Sequence, residues 1–168
     1  ASAETGADLI IELVKGGDAS AIFFQMDEKD VEALMKLPYV MIGSDGGLEK
    51  VGVGSPHPRS YGTFARVLGE YARERQILGL EEAIRKMTSL PAQTLRLVDR
   101  GLIKTGFFAD VVIFNPEEVK DQATFANPHQ YSRGMVSVIV NGQEVLAGGQ
   151  FTGQRPGQIL YGQGYRPD

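Results

Sequence analysis

The stretch that decides the fold runs from Ala21 to Gly47. It reads Ala21-Ile22-Phe23-Phe24-Gln25-Met26, then Asp27 to Lys36, then Tyr39-Val40-Met41-Ile42 and Gly43-Ser44-Asp45-Gly46-Gly47. Ala21–Met26 is a short apolar run rich in β-formers and bounded by turn residues, the pattern of a strand buried on both faces. Asp27 is placed to cap a helix in which Val31, Leu34 and Met35 fall at i, i+3, i+4. Acids crowd its first turn, where they complement the dipole, and Pro38 stops it. Tyr39–Ile42 reads as a second buried strand. Strand, helix and strand within about 25 residues predict a parallel α/β crossover.

Working outward, Leu9, Ile10, Leu13 and Val14 share helical spacing between Ala7 and Val14, and Gly16-Gly17 ends that helix. The segment from Leu48 to Tyr61 holds Gly52, Gly54, Pro56 and Pro58 around His57 and Arg59, which predicts a long ordered loop. Two helices follow, one with Phe64, Val67, Leu68 and Tyr71 in a stripe behind a Thr63 cap, the other with Leu80, Ala83, Ile84 and Met87. Pro91 suits the first turn of a short helix ending near Leu95. From Gly101 the apolar period drops to two: Phe107–Phe114 reads as a strand closed by Asn115-Pro116. Val136–Val140, Asn141-Gly142 and Gln143–Leu146 read as a β-hairpin. Glu117–Arg133 is expected to be a loop and Gly148–Asp168 an irregular tail. Two parts result, an α/β part over 1–98 and a small antiparallel β part over 99–168.

Size and charge narrow the function classes. At 168 residues the chain cannot encode a complete (β/α)8 barrel, which takes about 250. Seventeen Lys and Arg against 21 Asp and Glu give a formal charge of −4, and no basic run marks a nucleic-acid or membrane surface. The chain lacks cysteine, so it forms no disulfide and no thiolate zinc site of its own. No apolar run reaches the ~18 residues of a membrane span. Ala1–Gly6 has neither an initiator Met nor a basic leader; it reads as a cut end, and a cytoplasmic location is the default expectation.

Asp45 is the foremost chemical candidate, because it follows a predicted buried strand at the end where α/β proteins place catalytic residues. A carboxylate there suits a metal ligand or a general base, although Asp-Gly-Gly is equally a turn. On the adjoining loop, Arg59 could clamp a carboxylate bidentately or lie in solvent. His57 could ligate, shuttle protons or order the loop. His129 is expected at the surface, and Asp110 as a structural partner for backbone N–H groups.

Six segments occur in one order: Met41-Ile42-Gly43-Ser44-Asp45-Gly46, His57-Pro58-Arg59-Ser60-Tyr61-Gly62-Thr63-Phe64, Met87-Thr88-Ser89-Leu90-Pro91-Ala92, Asp99-Arg100-Gly101-Leu102-Ile103, Ala109-Asp110-Val111-Val112-Ile113-Phe114 and Val140-Asn141-Gly142. Together they resemble the C-terminal part of the amidohydrolase superfamily, and within it the N-acyl-D-amino-acid deacylases (D-aminoacylases), from about Ala19 to Leu160. The resemblance implies strands seven (Ala21–Met26) and eight (Tyr39–Ile42) of a TIM barrel, followed by part of a small β-sandwich. It implies a zinc-dependent hydrolase that converts N-acyl-D-amino acids to a carboxylate and a D-amino acid. Asp45 matches the aspartate that takes the proton of the zinc-activated water and passes it to the leaving amine. Arg59 matches an arginine suited to the substrate carboxylate, and His57 a loop or pocket residue.

The family's remaining metal ligands belong to earlier strands that this chain lacks. Asp45 could therefore hold metal only with ligands from a missing N-terminal segment. The chain alone is expected neither to hydrolyse amides nor to bind zinc tightly, and to pair with that segment or with copies of itself through bare sheet edges. Alternatives are a stand-alone binding or assembly module, or a piece of a hydantoinase-like or dihydroorotase-like amidohydrolase.

Overall fold

The computed structural model of the chain describes residues 5–17, 24–48, 50–162 and 164–166. Two helices open it. α1 (Gly6–Lys15) is capped by Thr5, whose hydroxyl accepts the Asp8 N–H, and α2 (Glu28–Lys36) by Asp27, whose carboxylate accepts the Lys29 N–H. These are the short polar side chains that satisfy orphan donors at a helix start. α2 buries Met35, whereas the apolar residues of α1 stay exposed, Val14 at 69%.

α3 (Arg59–Arg66) continues into a π-helical segment, Val67–Glu74, followed by α4 (Leu80–Met87) and the short α5 (Ser89–Thr94). α3 begins four residues before Thr63, the expected cap. Thr63 instead bonds back to the Arg59 carbonyl within the helix. Val67, Leu68 and Tyr71 of the expected stripe are buried, but Phe64 is 46% exposed.

The core gathers Met35, Ala65, Val67, Leu68, Tyr71, Ala72, Leu78, Ala83 and Val119, with Ile42, Phe114 and Met135 packed at its margin. Val119, fully buried, belongs to the stretch 117–133 read from sequence as a loop. It is admitted by Gly69, where a Cβ would stand 2.4 Å from the Val119 carbonyl, and held by Arg73, which donates to that carbonyl at 2.9 Å.

The β part is one antiparallel sheet in the order β1 (Val111–Phe114), β2 (Met135–Val140), β3 (Gln143–Ala147), β4 (Gln150–Phe151). Its hairpin is the one Asn141-Gly142 announces: both residues have positive φ, 48° and 78°, as a two-residue primed turn needs. β1 is shorter than the expected Phe107–Phe114, because Phe108 and Asp110 donate to the Asp99 and Phe108 carbonyls and bend the chain before the ladder starts. β4, inside the tail expected to be irregular, pairs with the end of β3.

Three of the six signature segments meet at the β2–β3 turn of this sheet. Arg100 pairs with Asp110 and donates to the Asn141 side-chain oxygen at 2.6 Å, while Asp110 accepts the Asn141 N–H at 2.8 Å. Asp110 is thus the structural acid its position suggested.

The expected parallel strands do not form a ladder among the described residues. Residues 21–23 of the first lie outside them, and Phe24–Met26 is unpaired. Tyr39–Ile42 is likewise no strand: among the described residues no strand pairs with it, its polar backbone turns to α4, and Ile42 N–H donates to the Lys86 carbonyl at 3.1 Å.

Candidate functional site

Asp45 lies three residues beyond Ile42 and takes a left-handed backbone conformation, φ 46°, rare for a residue with a Cβ and favoured by aspartate among the few types that tolerate it. The turn then passes tightly under the start of α3. A Cβ on Gly46 would stand 2.9 Å from the Ser60 Cα, so glycine alone permits the approach. Gly47 N–H donates to the Ser60 hydroxyl at 3.2 Å, and Gly46 N–H to the Ser44 hydroxyl at 3.3 Å.

This approach brings Asp45 and Arg59 together across 14 positions of sequence. Arg59 Nε donates to the Asp45 carbonyl at 2.7 Å and its Nη2 pairs with Oδ2 at 3.0 Å. The guanidinium is a planar fork with two edges able to grip an acceptor pair. The Nε–Nη2 edge holds Asp45; the Nη1–Nη2 edge has no partner among the described residues. The site is open, with the Asp45 side chain 87% exposed and that of Arg59 44%.

His57 Nδ1 accepts the Arg59 N–H at 3.1 Å and so caps the first turn of α3. Its ring meets Phe125 edge-on at 5.0 Å, and Phe125 meets Phe24 at 4.8 Å. Burial holds the His57 pKa below its ordinary value, the Arg59 guanidinium adds to this, and the Asp45 carboxylate opposes it. With Nδ1 accepting, the neutral ring carries its proton on Nε2.

His129, expected at the surface, is half-buried and bonded on both sides. Nε2 faces the Gly54 carbonyl at 3.1 Å and Nδ1 the Tyr61 hydroxyl at 2.9 Å. A carbonyl only accepts, so Nε2–H donates to it and, in the neutral ring, the Tyr61 hydroxyl donates to Nδ1. This ties the tip of the long loop to α3. A two-residue Pro-His context carries no sign of contacts 68 and 75 positions away.

As a metal site the arrangement is incomplete. Among the described residues no group of three or more His, Cys, Asp and Glu could hold an ion. Asp45 offers one carboxylate to solvent, His57 Nδ1 is taken by the Arg59 N–H, and both ring nitrogens of His129 face the partners just named. These residues do not by themselves fit zinc.

Residues 14–146 match the model of a family described as the amidohydrolase family. The chain belongs to that family. Similar curated relatives are an N-acyl-D-aspartate deacylase from Alcaligenes xylosoxydans xylosoxydans, 43% identical over 94% of this chain and 31% of its own length, and a D-aminoacylase from the same organism. The second is 45% identical over 91% of this chain and 30% of its own. A crystal structure of D-aminoacylase superposes with a TM-score of 0.77 at 43% identity, covering 85% of this chain and 30% of that one. An N-acyl-D-glutamate deacylase from Bordetella bronchiseptica, solved with zinc and a phosphonate mimic of the tetrahedral intermediate, superposes with a TM-score of 0.71 at 43% identity. It is covered over 82% of this chain and 28% of its own. This amidohydrolase chain spans about a third of the length of the relatives it matches. No helix among its described residues is long and apolar enough to cross a membrane.

Proposed function

We propose that this chain supplies the acid–base aspartate and the substrate-carboxylate arginine of an N-acyl-D-amino-acid deacylase. The observation that carries the reading is the Asp45–Arg59 arrangement. An exposed carboxylate is held at a fixed turn by one edge of a guanidinium whose other edge is open. An N-acyl-D-amino acid offers two groups of matching chemistry, an α-carboxylate and an amide. The carboxylate takes the Nη1–Nη2 edge of Arg59 through two parallel N–H···O bonds. The amide carbon then lies beside Asp45. As the oxygen of a water bonds to that carbon, Asp45 accepts the water's proton; it returns the proton to the amide nitrogen as the C–N bond breaks, releasing a carboxylate and a free D-amino acid. His57 keeps Arg59 in place by capping the helix that carries it.

Under the same reading, the helices and the Tyr39–Ile42 run form the closing part of a barrel, and the antiparallel sheet part of a small sandwich, with the division near residue 98. The ligands that complete a zinc site lie outside this chain, so the chain alone binds zinc weakly and is inactive. The exposed apolar side chains, Phe24 at 77%, Met26 at 75% and Tyr39 at 71%, support a further barrel segment or a second copy as their cover.

The test is hydrolysis of N-acetyl-D-methionine with zinc, by the chain alone and after mixing with the N-terminal two-thirds of a D-aminoacylase. Activity only on mixing, abolished by Asp45→Asn, supports the reading. Zinc-dependent activity of the pure chain, or undiminished activity of the Asp45→Asn mixture, overturns it.

A further inference from the structure

Lys86 is the one charged side chain among the described residues that is fully buried, and nothing in the proposed chemistry uses it. We propose that Lys86 is the positioning residue for Asp45, the side chain that fastens the run before Asp45 to α4.

Residues 37–42 form no ladder, so their carbonyls and N–H groups need other partners when packed against the core. α4 provides them. Lys86 Nζ donates to the Leu37 carbonyl and, at 3.0 Å, to the Val40 carbonyl. Arg85 Nη2 donates to the Pro38 carbonyl at 2.5 Å. The Lys86 carbonyl accepts the Ile42 N–H at 3.1 Å. Four bonds thus fasten one six-residue run to one turn of helix, and Lys86 makes three of them.

The charge needed for this is itself accounted for. A buried ammonium is tolerated only when its donors are used and an opposite charge is near. Lys86 has three donors: two meet the carbonyls, and Glu82 lies 3.6 Å from Nζ on the side of the third. Glu82 is in turn fixed by Arg85, through two bonds of 2.7 Å. A methionine or leucine would fill the same space but leave two carbonyls unpaired.

The consequence reaches Asp45. Beyond Ile42 only Gly43 and Ser44 precede it, and on its far side Arg59 and Ser60 hold the turn. The carboxylate is therefore set between two clamps, one on α4 and one on α3. If the α4 clamp opens, the approach of Asp45 to Arg59 loses its fixed end.

This inference rests on the reading of Asp45 as the acid, but its test reads the turn and not turnover. In the full chain, labelled with ¹⁵N, Lys86→Met is expected to keep a cooperative melt. It is expected to speed hydrogen exchange of the Ile42 amide and of Arg59 Nε–H, which bonds the Asp45 carbonyl, by about tenfold or more. Lys86→Arg keeps the charge and is expected to restore part of that protection. Val119→Ala, which removes side-chain volume elsewhere in the core, controls for loss of stability and is expected to leave the Arg59 Nε–H signal unchanged. Should Lys86→Met not fold, Arg85→Met removes the Pro38 anchor and the two bonds that fix Glu82 while leaving the Lys86 bonds, and is expected to give the same change at smaller size. Unchanged Arg59 Nε–H protection in the folded variant, or an equal loss in Val119→Ala, overturns the proposal. Inactivity of the mixed enzyme with that signal intact counts instead against the function assigned to Asp45.

Discussion

Among the arginine–aspartate pairs of the described residues, Arg100–Asp110 and Arg59–Asp45 differ in what surrounds them. Arg100 and Asp110 are enclosed, their side chains 10% and 34% exposed. The guanidinium also meets Asn141 and lies 4.1 Å over the Phe108 ring. Arg59 and Asp45 are open, and one edge of the guanidinium is left over. The first pair joins three chain segments at the β2–β3 turn; the second fastens the Asp45 turn to α3. Equal chemistry is thus enclosed at one place and open to solvent at the other.

The contrast is broken most forcefully at the enclosed pair. Arg100→Ala leaves Asp110 and the Asn141 turn without their partner, and a loss of about 2–4 kcal/mol in denaturant unfolding is expected. A loss below about 1 kcal/mol would show that the pair is no staple. Asn141→Ala is next: it removes the bond from Arg100 and the donation to the Pro156 carbonyl, and it places a β-carbon without local hydrogen bonding at φ 48°. About 1–2 kcal/mol is expected by the same measurement. Arg59→Ala, at the open pair, is expected to change stability by less than about 1 kcal/mol, because exposed ion pairs contribute little.

The smallest effect is at His57. Its pKa is expected below the ordinary 6.5 in an NMR titration, and to move back up in Arg59→Gln as the neighbouring cation is lost. Because the folded state holds this proton less well than the unfolded one, stability contributed here is present above pH 6.5 and declines as pH falls through the window below it. Titration of His57 at or above its ordinary value would contradict the packing described.

Legibility from sequence followed how local the cause was. The hairpin was readable because Asn141-Gly142 carries its own turn chemistry. The caps at Thr5 and Asp27 act within three residues, although only Asp27 was read as one. Tyr39–Ile42 was not readable in the same way, since β-formers report a preference that only a neighbour's backbone can fulfil, and here Lys86 and Arg85 stand in. Lys86 itself escaped notice because a lysine late in an amphipathic helix ordinarily faces solvent. The apolar stripes identified helix faces but not their cover, so Phe64 and Ile84 stay exposed at 46% and 37%. Asp45 and Arg59 were both singled out, one from its place after an apolar run and the other from its loop. Their direct contact depends on Gly46 passing under Ser60, which no spacing rule contains.

The most direct test of the central claim joins this chain to the N-terminal two-thirds of a D-aminoacylase and compares N-acetyl-D-methionine hydrolysis by Asp45 and Asp45→Asn forms at equal zinc content. With Asp45 as the proton-transferring group, kcat is expected to fall by about 10³-fold or more with the fold unchanged. Equal rates for the two forms would contradict it.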